Sequence, residues 1–332
     1  MTAAITQFFL GLYDTIGATG FGVISGLITL ALCLLIIPKT TDLMVDSAAG
    51  LTGKYLGHEK RTMVINASTN LPEFFSMVVA FFMLRVGGIA NPLGSNFANI
   101  YLMFLVAPVW VLGVWLVRGR KEKVAVLLGL IRKEKSIVLW HFIAGLLLFM
   151  VATLALWCAT GVDQLHVFGG DRKGGLSAGW MLTGGLLCLA AVLVFLRFER
   201  GIRARRPELF REITSDGQEP SWAGFVFGTA GLIIACTVMN ALFVSWEGVY
   251  GSFLRNLLGA SVFTGLQYFL GALVTSLPEM TVATRNFRRM TSPDLNTALG
   301  SASYSNMSNM AVAAIGGIAA WVMWMFGCRL VP

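Results

Sequence analysis

Charge is what this chain is short of. Only 13% of its 332 residues are Asp, Glu, Lys or Arg, where a soluble domain carries about 25%, and that shortage excludes an ordinary water-soluble enzyme. Histidine is scarcer still, with His58, His141 and His166 only. No nucleophile-base pair accompanies them, so intramembrane catalysis has no support and the chain is not expected to be an enzyme. His58 and His166 read as loop residues and His141 as a helix-end residue. The five cysteines, Cys33, Cys158, Cys188, Cys236 and Cys328, are far apart with no CxxC or Cys/His spacing. That excludes a disulfide framework and a zinc site, and leaves free, buried thiols. No Lys or Arg precedes Lys39, so the basic start of a cleavable signal peptide is missing and the first apolar run is expected to remain as a span.

What fills the chain instead is apolar surface, 56% of residues with a mean hydropathy of +0.73. So much of it cannot be left solvated, which excludes disorder. A spanning helix needs about 20 largely apolar residues. Runs of that kind fall at about 21–38, 62–84, 90–117, 137–158, 178–196, 223–246, 258–283 and 295–326. The expected fold class is therefore an all-α polytopic membrane protein of about eight transmembrane helices. Residues 1–17 are too short and interrupted for a ninth, and are expected at the interface or as an extension of the first helix.

The formal net charge of +8 suggests nucleic acid only until the cations are located. They sit between the apolar runs, with 20 of the 25 Lys and Arg on one set of alternate loops, following the first, third, fifth and seventh runs. That bias marks the cytoplasmic side and puts both termini outside the cytoplasm. The Arg-rich loop 197–211 is then a topology anchor, the lipid bilayer is the partner, and nucleic acid is not.

An internal repeat changes the functional reading. TNLPE at 69–73 and TSLPE at 275–279 each lie inside an apolar run. Each is followed by a polar stripe, Asn91, Ser95 and Asn99 in the first copy and Ser301, Ser305 and Asn309 in the second. Spacing of i, i+4, i+8 puts each stripe on one helix face. The loop count points the two copies in opposite directions across the membrane, as in many secondary transporters, whose substrate is held where inverted repeats meet. The chain divides into a first half at 1–160 with one repeat at about 62–117, a linking helix and Arg-rich loop at 161–222, and a second half at 223–332 with the other repeat at about 258–326.

Of 17 acidic residues, only Glu73 and Glu279 lie deep inside apolar runs, at equivalent repeat positions. A carboxylate there costs about 2.5–3.5 kcal/mol on insertion scales, which a purely structural helix has no reason to carry. Pro72 and Pro278 lack an N–H and clash with the carbonyl four residues back, so both helices are expected to break there and free carbonyls near Ser68 and Val274. Such oxygens are tolerated in lipid only where protein or a water-filled cavity meets them, and hard cations take oxygen ligands. Each repeat thus offers a carboxylate, broken-helix carbonyls, a hydroxyl from Thr69 or Thr275, and oxygens from the partner stripe.

These residues resemble the α-repeats of the calcium/cation antiporter superfamily, the sodium/calcium exchangers and their prokaryotic relatives, with a G-T-S-L-P-E type motif followed by G-N-x-x-G-S-N-x-x-N. The first copy matches at Thr69 to Glu73, then Asn91, Gly94, Ser95, Asn96 and Asn99. The second matches at Thr275 to Glu279, then Gly300, Ser305, Asn306 and Asn309. The stretch at 42–57 resembles the segment before the first repeat in bacterial members, and Asp42 and Asp46 resemble positions near the cytoplasmic mouth. A solvated helix start explains those two acids equally well. The departures are Asn70 for Ser, Ser301 and Tyr304 for the second copy's Asn and Gly, and Asn309 where exchangers often carry an acid. An ungapped alignment pairs Ser95 with Ser301, whereas Ser305 keeps the stripe ending in Asn. The family usually has ten helices, so a chain of eight reads as a shortened member or a truncated sequence.

The resemblance implies metal ligands at Thr69, Glu73, Ser95, Asn99, Thr275, Ser276, Glu279, Ser305 and Asn309. It implies Ca²⁺ or another cation moving against Na⁺ or H⁺ by alternating access, with no tightly bound cofactor, in a bacterial inner membrane. Two desolvated carboxylates want positive charge, which one Ca²⁺, two Na⁺ or two H⁺ supply. With Asn at 309, a three-sodium stoichiometry is harder to support. The small residues of 20–26 are expected to allow a sliding helix contact. Monovalent exchange, a cation channel and a transport-inactive shortened member are the alternatives, and assembly of two chains is left open.

Overall fold

The computed structural model describes residues 2–57, 60–82, 84, 86–161, 163, 167–170, 172, 176–209, 221–258 and 276–330. Among them there is no strand. The helices are α1 (Thr2–Ala31), α2 (Ile37–Tyr55), α3 (Arg61–Ser68), α4 (Leu71–Phe82), α5 (Ala90–Tyr101), α6 (Ala107–Val117), α7 (Lys121–Lys133), α8 (Lys135–Thr160), α9 (Ala178–Arg205), α10 (Trp222–Leu258), α11 (Leu277–Phe287) and α12 (Ser292–Met325). Local sequence sets several ends. Gly161 closes α8 in the left-handed region at φ 78°, where a side chain would be strained. Thr291 opens α12 by accepting the Asp294 N–H at 3.2 Å, with Pro293 in the first turn.

Among the described residues, six helical stretches are long and apolar enough to cross a membrane: Ala4–Tyr55, Pro92–Val117, Lys135–Thr160, Ala178–Arg205, Trp222–Leu254 and Ser292–Met325. Residues 2–17 extend the first helix, one of the two expected placements, with a bend where Gly17 takes φ 71° and ψ 176°. One expectation changes. Residues 39–55, expected as loop, continue the first helix through the π-helical turn Leu32–Ile36 into α2. A few lysines and aspartates do not end a helix whose other residues favour it. The expected second span is interrupted, as α3 and α4. Of the expected seventh, residues 259–275 lie outside the described residues and the remainder opens α11.

The buried apolar side chains gather in three clusters. Met181, Phe195, Leu148 and Tyr304 join α8, α9 and α12. Val111, Leu127, Phe287 and Leu299 join α6, α7, α11 and the start of α12. Phe21, Ile37, Met44 and Leu232 join α1, α2 and α10. Outward faces are apolar too, with Leu27, Leu34, Leu147, Val194, Phe227 and Phe253 exposed, as suits helices that face lipid. Ion pairs gather at the end carrying the Lys/Arg-rich connections. Arg206 holds Glu134 at 2.9 Å, and Arg285 holds Asp42 at 2.9 Å and Asp46 at 2.7 Å. The cysteines are free, with Cys158, Cys188 and Cys236 buried and Cys33 and Cys328 half-buried.

The closest helix crossings are not in the 20–26 segment. A Cβ on Gly26 would meet nothing within 4 Å, and one on Gly22 only the Tyr250 hydroxyl at 2.8 Å. Backbones instead meet where α9 crosses α12, a Cβ on Gly317 falling 2.7 Å from Gly185 Cα. They also meet where α2 crosses α10, a Cβ on Gly228 falling 2.5 Å from the Met44 nitrogen. Backbone at those distances cannot step aside as a side-chain tip can. Gly317→Ala is therefore expected to cost about 1–3 kcal/mol through overpacking, read as a lowered melting temperature in detergent. Gly113→Ala in α6, with nothing within 4 Å of the new Cβ, should hold or raise it through helix propensity.

Candidate functional site

The two LPE motifs open half-helices. Between α3 and α4 the chain makes a turn at 69–70, with the Asn70 N–H on the Ala67 carbonyl at 3.2 Å and the Thr69 hydroxyl on the Asn66 carbonyl at 2.8 Å. Pro72 follows inside the first turn of α4, where its missing N–H costs no helical bond. So the break precedes the proline rather than falling on it. Glu73 then lies in the first turn of α4, and Glu279 in that of α11 behind Pro278. A helix N-terminus carries partial positive charge, which offsets part of the cost of burying each carboxylate.

The stripes meet across these breaks. Asn99 on α5 donates both amide hydrogens to α12, to Ser305 Oγ at 3.0 Å and Asn306 Oδ1 at 3.0 Å. Asn309 on α12 donates both back to α5, to Ser95 Oγ at 2.6 Å and Asn96 Oδ1 at 3.0 Å. Residue 99 thus lies beside 305–306 and residues 95–96 beside 309, so α5 and α12 run antiparallel. Ser95 and Ser305 occupy matching places in this exchange, whereas Ser301 turns away to donate to Asn66 Oδ1 at 2.7 Å. The Ser305 hydroxyl lies 2.9 Å from Asn70 Oδ1 and 3.1 Å from Glu279 Oε1, and its single hydrogen serves one of them at a time.

With every amide hydrogen of Asn99 and Asn309 committed, their carbonyl oxygens are left over. Among the described residues, the buried side-chain oxygens without a hydrogen-bond partner include Glu73 Oε1 and Oε2, Glu279 Oε2, Asn99 Oδ1, Asn309 Oδ1 and Ser276 Oγ, with Thr41 and Thr229 elsewhere. The first five of these side chains are 0–1% exposed, and the two carboxylates are close enough for their charges to act on one another. Buried polar atoms are nearly always paired, so this concentration is the unusual feature of the molecule. Among the described residues no three His, Cys, Asp or Glu side chains gather as a metal site. The leftover set is two carboxylates with neutral oxygens, the chemistry of hard cations rather than of zinc or copper.

Of the nine residues the sequence singles out, eight are described, and Thr275 lies outside the described residues. Hydrogen bonds bring Ser95, Asn99, Ser305 and Asn309 together and carry Ser305 to Glu279; Thr69 and Glu73 flank Asn70, which is bonded to Ser305, and Ser276 is buried in the turn before α11. Asn66, Asn70, Asn96 and Asn306 brace them; sequence reasoning missed Asn66 and named the other three only as motif positions. Asn306 is tied to the Asn96 carbonyl at 3.0 Å and the Gly145 carbonyl of α8 at 3.3 Å. Sequence reasoning also misread His141, which is fully buried rather than a helix-end residue. Asn296 Oδ1 can only accept, so His141 Nε2 donates to it at 2.9 Å, and Ser303 donates to Nδ1 at 2.6 Å. The signal was available in the seven-residue spacing of Asn296 and Ser303, which puts both on one face of α12.

A cavity of about 800 Å³ opens beside the site. It is lined by Asp42 and Asp46 of α2, Trp110 of α6, and Leu277, Met280 and Arg285 of α11, among others. Leu277 and Met280 flank Glu279 in sequence, so the cavity runs from the ion-paired end of the bundle to the turn bearing that carboxylate.

No protein-family profile matches the chain, and no curated protein does. Among solved structures it is similar to the sodium-calcium exchanger NCX_Mj soaked with 100 mM Na⁺ and 10 mM Sr²⁺, at 15% identity and a TM-score of 0.40, over 91% of this chain and 89% of that one.

Proposed function

We propose that this chain is a secondary active antiporter that carries Ca²⁺, or another cation, across a bacterial inner membrane in exchange for Na⁺ or H⁺. The observation that carries the reading is the set of buried oxygens without partners, two carboxylates among them, on half-helices and antiparallel stripe helices. Six such oxygens are about what one calcium ion takes from its surroundings, six to eight at most sites. Glu73 and Glu279 supply the charge, Asn99, Asn309 and Ser276 supply neutral oxygens, and Thr69, Thr275, Ser95 and Ser305 complete or brace the shell. The repeated LPE and stripe motifs, in the pattern of the calcium/cation antiporters, favour this class over a pore.

Transport then follows from electrostatics. An empty pair of carboxylates in a closed apolar surround is unfavourable, and a pair neutralised by cations is far less so. Only the loaded site is expected to pass through the closed intermediate, which couples the two ion flows. The cavity by Asp42 and Asp46 serves as the access path from the cytoplasm. The cluster of α1, α2 and α10 is packed apart from that of α8, α9 and α12, so the first group is proposed to shift against the second to open the other side.

In proteoliposomes loaded with Na⁺ or H⁺ and diluted into buffer lacking that gradient ion, radiotracer calcium uptake should follow the gradient. Glu73→Gln and Glu279→Gln should each lower it to background, and uncoupled conductance from the intact protein would refute exchange in favour of a channel. The same variants are expected to gain stability in cation-free detergent, because a buried carboxylate without a partner is replaced by a neutral amide. They should also lose the cation-dependent rise in melting temperature, which for the intact protein at 100 times the dissociation constant corresponds to about 2.7 kcal/mol.

A further inference from the structure

We infer that α7 is a docking helix for anionic phospholipid of the cytoplasmic leaflet, which it holds by the two basic turns at its ends. The inference needs only the membrane and goes beyond the proposed antiport. α7 links the stretches Pro92–Val117 and Lys135–Thr160, and its 13 residues are too few to cross a bilayer, which takes about 20. One face rests on the bundle. Leu127 is fully buried in the cluster that holds Phe287 of α11 and Leu299 of α12, with Val124, Leu130 and Ile131 packed against it. One helical step to either side of Leu127, Val126 and Leu128 are 54% and 41% exposed. The opposite face is small or charged, with Glu122, Ala125, Gly129 and Arg132 exposed and nothing within 4 Å of a Cβ on Gly129. A short helix with apolar flanks and a polar outer face lies in the headgroup plane rather than across the membrane.

The charges decide which lipid. From Arg118 to Lys135 there are seven cations and two acids, and one of those acids is spent inside the bundle. Glu134 is buried, held by Arg206 at 2.9 Å and by the Ser292 hydroxyl at 2.8 Å. Lys123 lies over the Trp115 ring at 6.0 Å. The other six cations are Arg118, Arg120 and Lys121 at one end of α7 and Arg132, Lys133 and Lys135 at the other. All six are exposed, and among the described residues none is ion-paired. Arg203, Arg285 and Arg289 of the same end of the bundle do find acids, Glu199, Asp42 with Asp46, and Asp294. Helix stability does not explain the first triad, because cations at a helix N-terminus oppose its partial positive charge. The two triads stand about 20 Å apart along a helix that rises 1.5 Å per residue. With apolar flanks between them, they match a surface whose anions lie above hydrocarbon, which is a leaflet of acidic phospholipid. Through Leu127, lipid held there steadies the end of α11, whose first turn bears Glu279.

The test places the full chain in nanodiscs of phosphatidylcholine alone, or of phosphatidylcholine mixed with phosphatidylglycerol, and follows amide hydrogen exchange peptide by peptide. Exchange across residues 118–135 is expected to slow several-fold with phosphatidylglycerol. Raising the salt to 1 M, where screening acts within about 3 Å, should remove that difference. The combined variant Arg118→Gln, Lys121→Gln, Arg132→Gln and Lys133→Gln should exchange alike in both lipids. Arg197→Gln with Arg200→Gln, which takes two exposed cations from α9 at the same end, should keep the difference. Equal exchange of the intact protein in the two lipids would overturn the inference, as would slowing that survives 1 M salt. Slowing produced equally by inorganic phosphate added to phosphatidylcholine discs would overturn it in favour of a soluble anion. Loss of the response in the α9 variant as well would show a general effect of the basic end and overturn the assignment to α7. Should the combined variant not fold, the lipid and salt comparison on the intact protein still decides.

Discussion

A carboxylate buried with no hydrogen-bond donor is the constraint around which this molecule is arranged. Both Glu73 oxygens and one of Glu279 are in that state, in a bundle whose outward faces are largely apolar. Leaving such groups bare costs several kcal/mol each in a low-dielectric surround. The chain lessens that cost by placing each acid at the positive end of a half-helix. It does not remove it by pairing the acids with Arg or Lys. On the proposed reading, that charge is what a mobile cation neutralises.

The asparagines show how neutral oxygens are aimed. An amide offers two hydrogens and one carbonyl oxygen, and here the hydrogens are spent across the helix pair, 99 on 305 and 306, and 309 on 95 and 96. Spending them fixes the amide plane and leaves each carbonyl oxygen buried without a partner. Behind this layer, His141 ties α8 to α12 through Asn296 and Ser303, and Asn306 reaches the α8 backbone at Gly145. Glycines at 185 and 317 let α9 press on α12 backbone to backbone. The stripe helix is thereby held from behind, while its front face carries buried oxygens without partners.

Much of this was legible in the chain before any coordinates. Long apolar runs and scarce charge specify helices in lipid, and two acids behind two prolines, repeated with their stripes, mark the site. Boundaries were less legible. Residues 39–55 looked like a loop because they carry Lys39, Asp42, Asp46 and Lys54, yet helix propensity carries α2 through them, and their charges find Arg285 or solvent at the bundle's end. His141 was misread because a histidine's meaning depends on what packs beside it, and its partners lie more than 150 residues away.

The division is physical. Hydrophobicity, a helix break near Pro72, and the placement of two carboxylates within apolar segments depend on residues close together in the chain, and the sequence alone determined them. Which oxygens lose their partners, and which serine, 301 or 305, reaches an acid depend on contacts between helices some 200 residues apart. Only the packed bundle decided those, because a hydrogen bond is a relation between two groups and the sequence names one of them at a time.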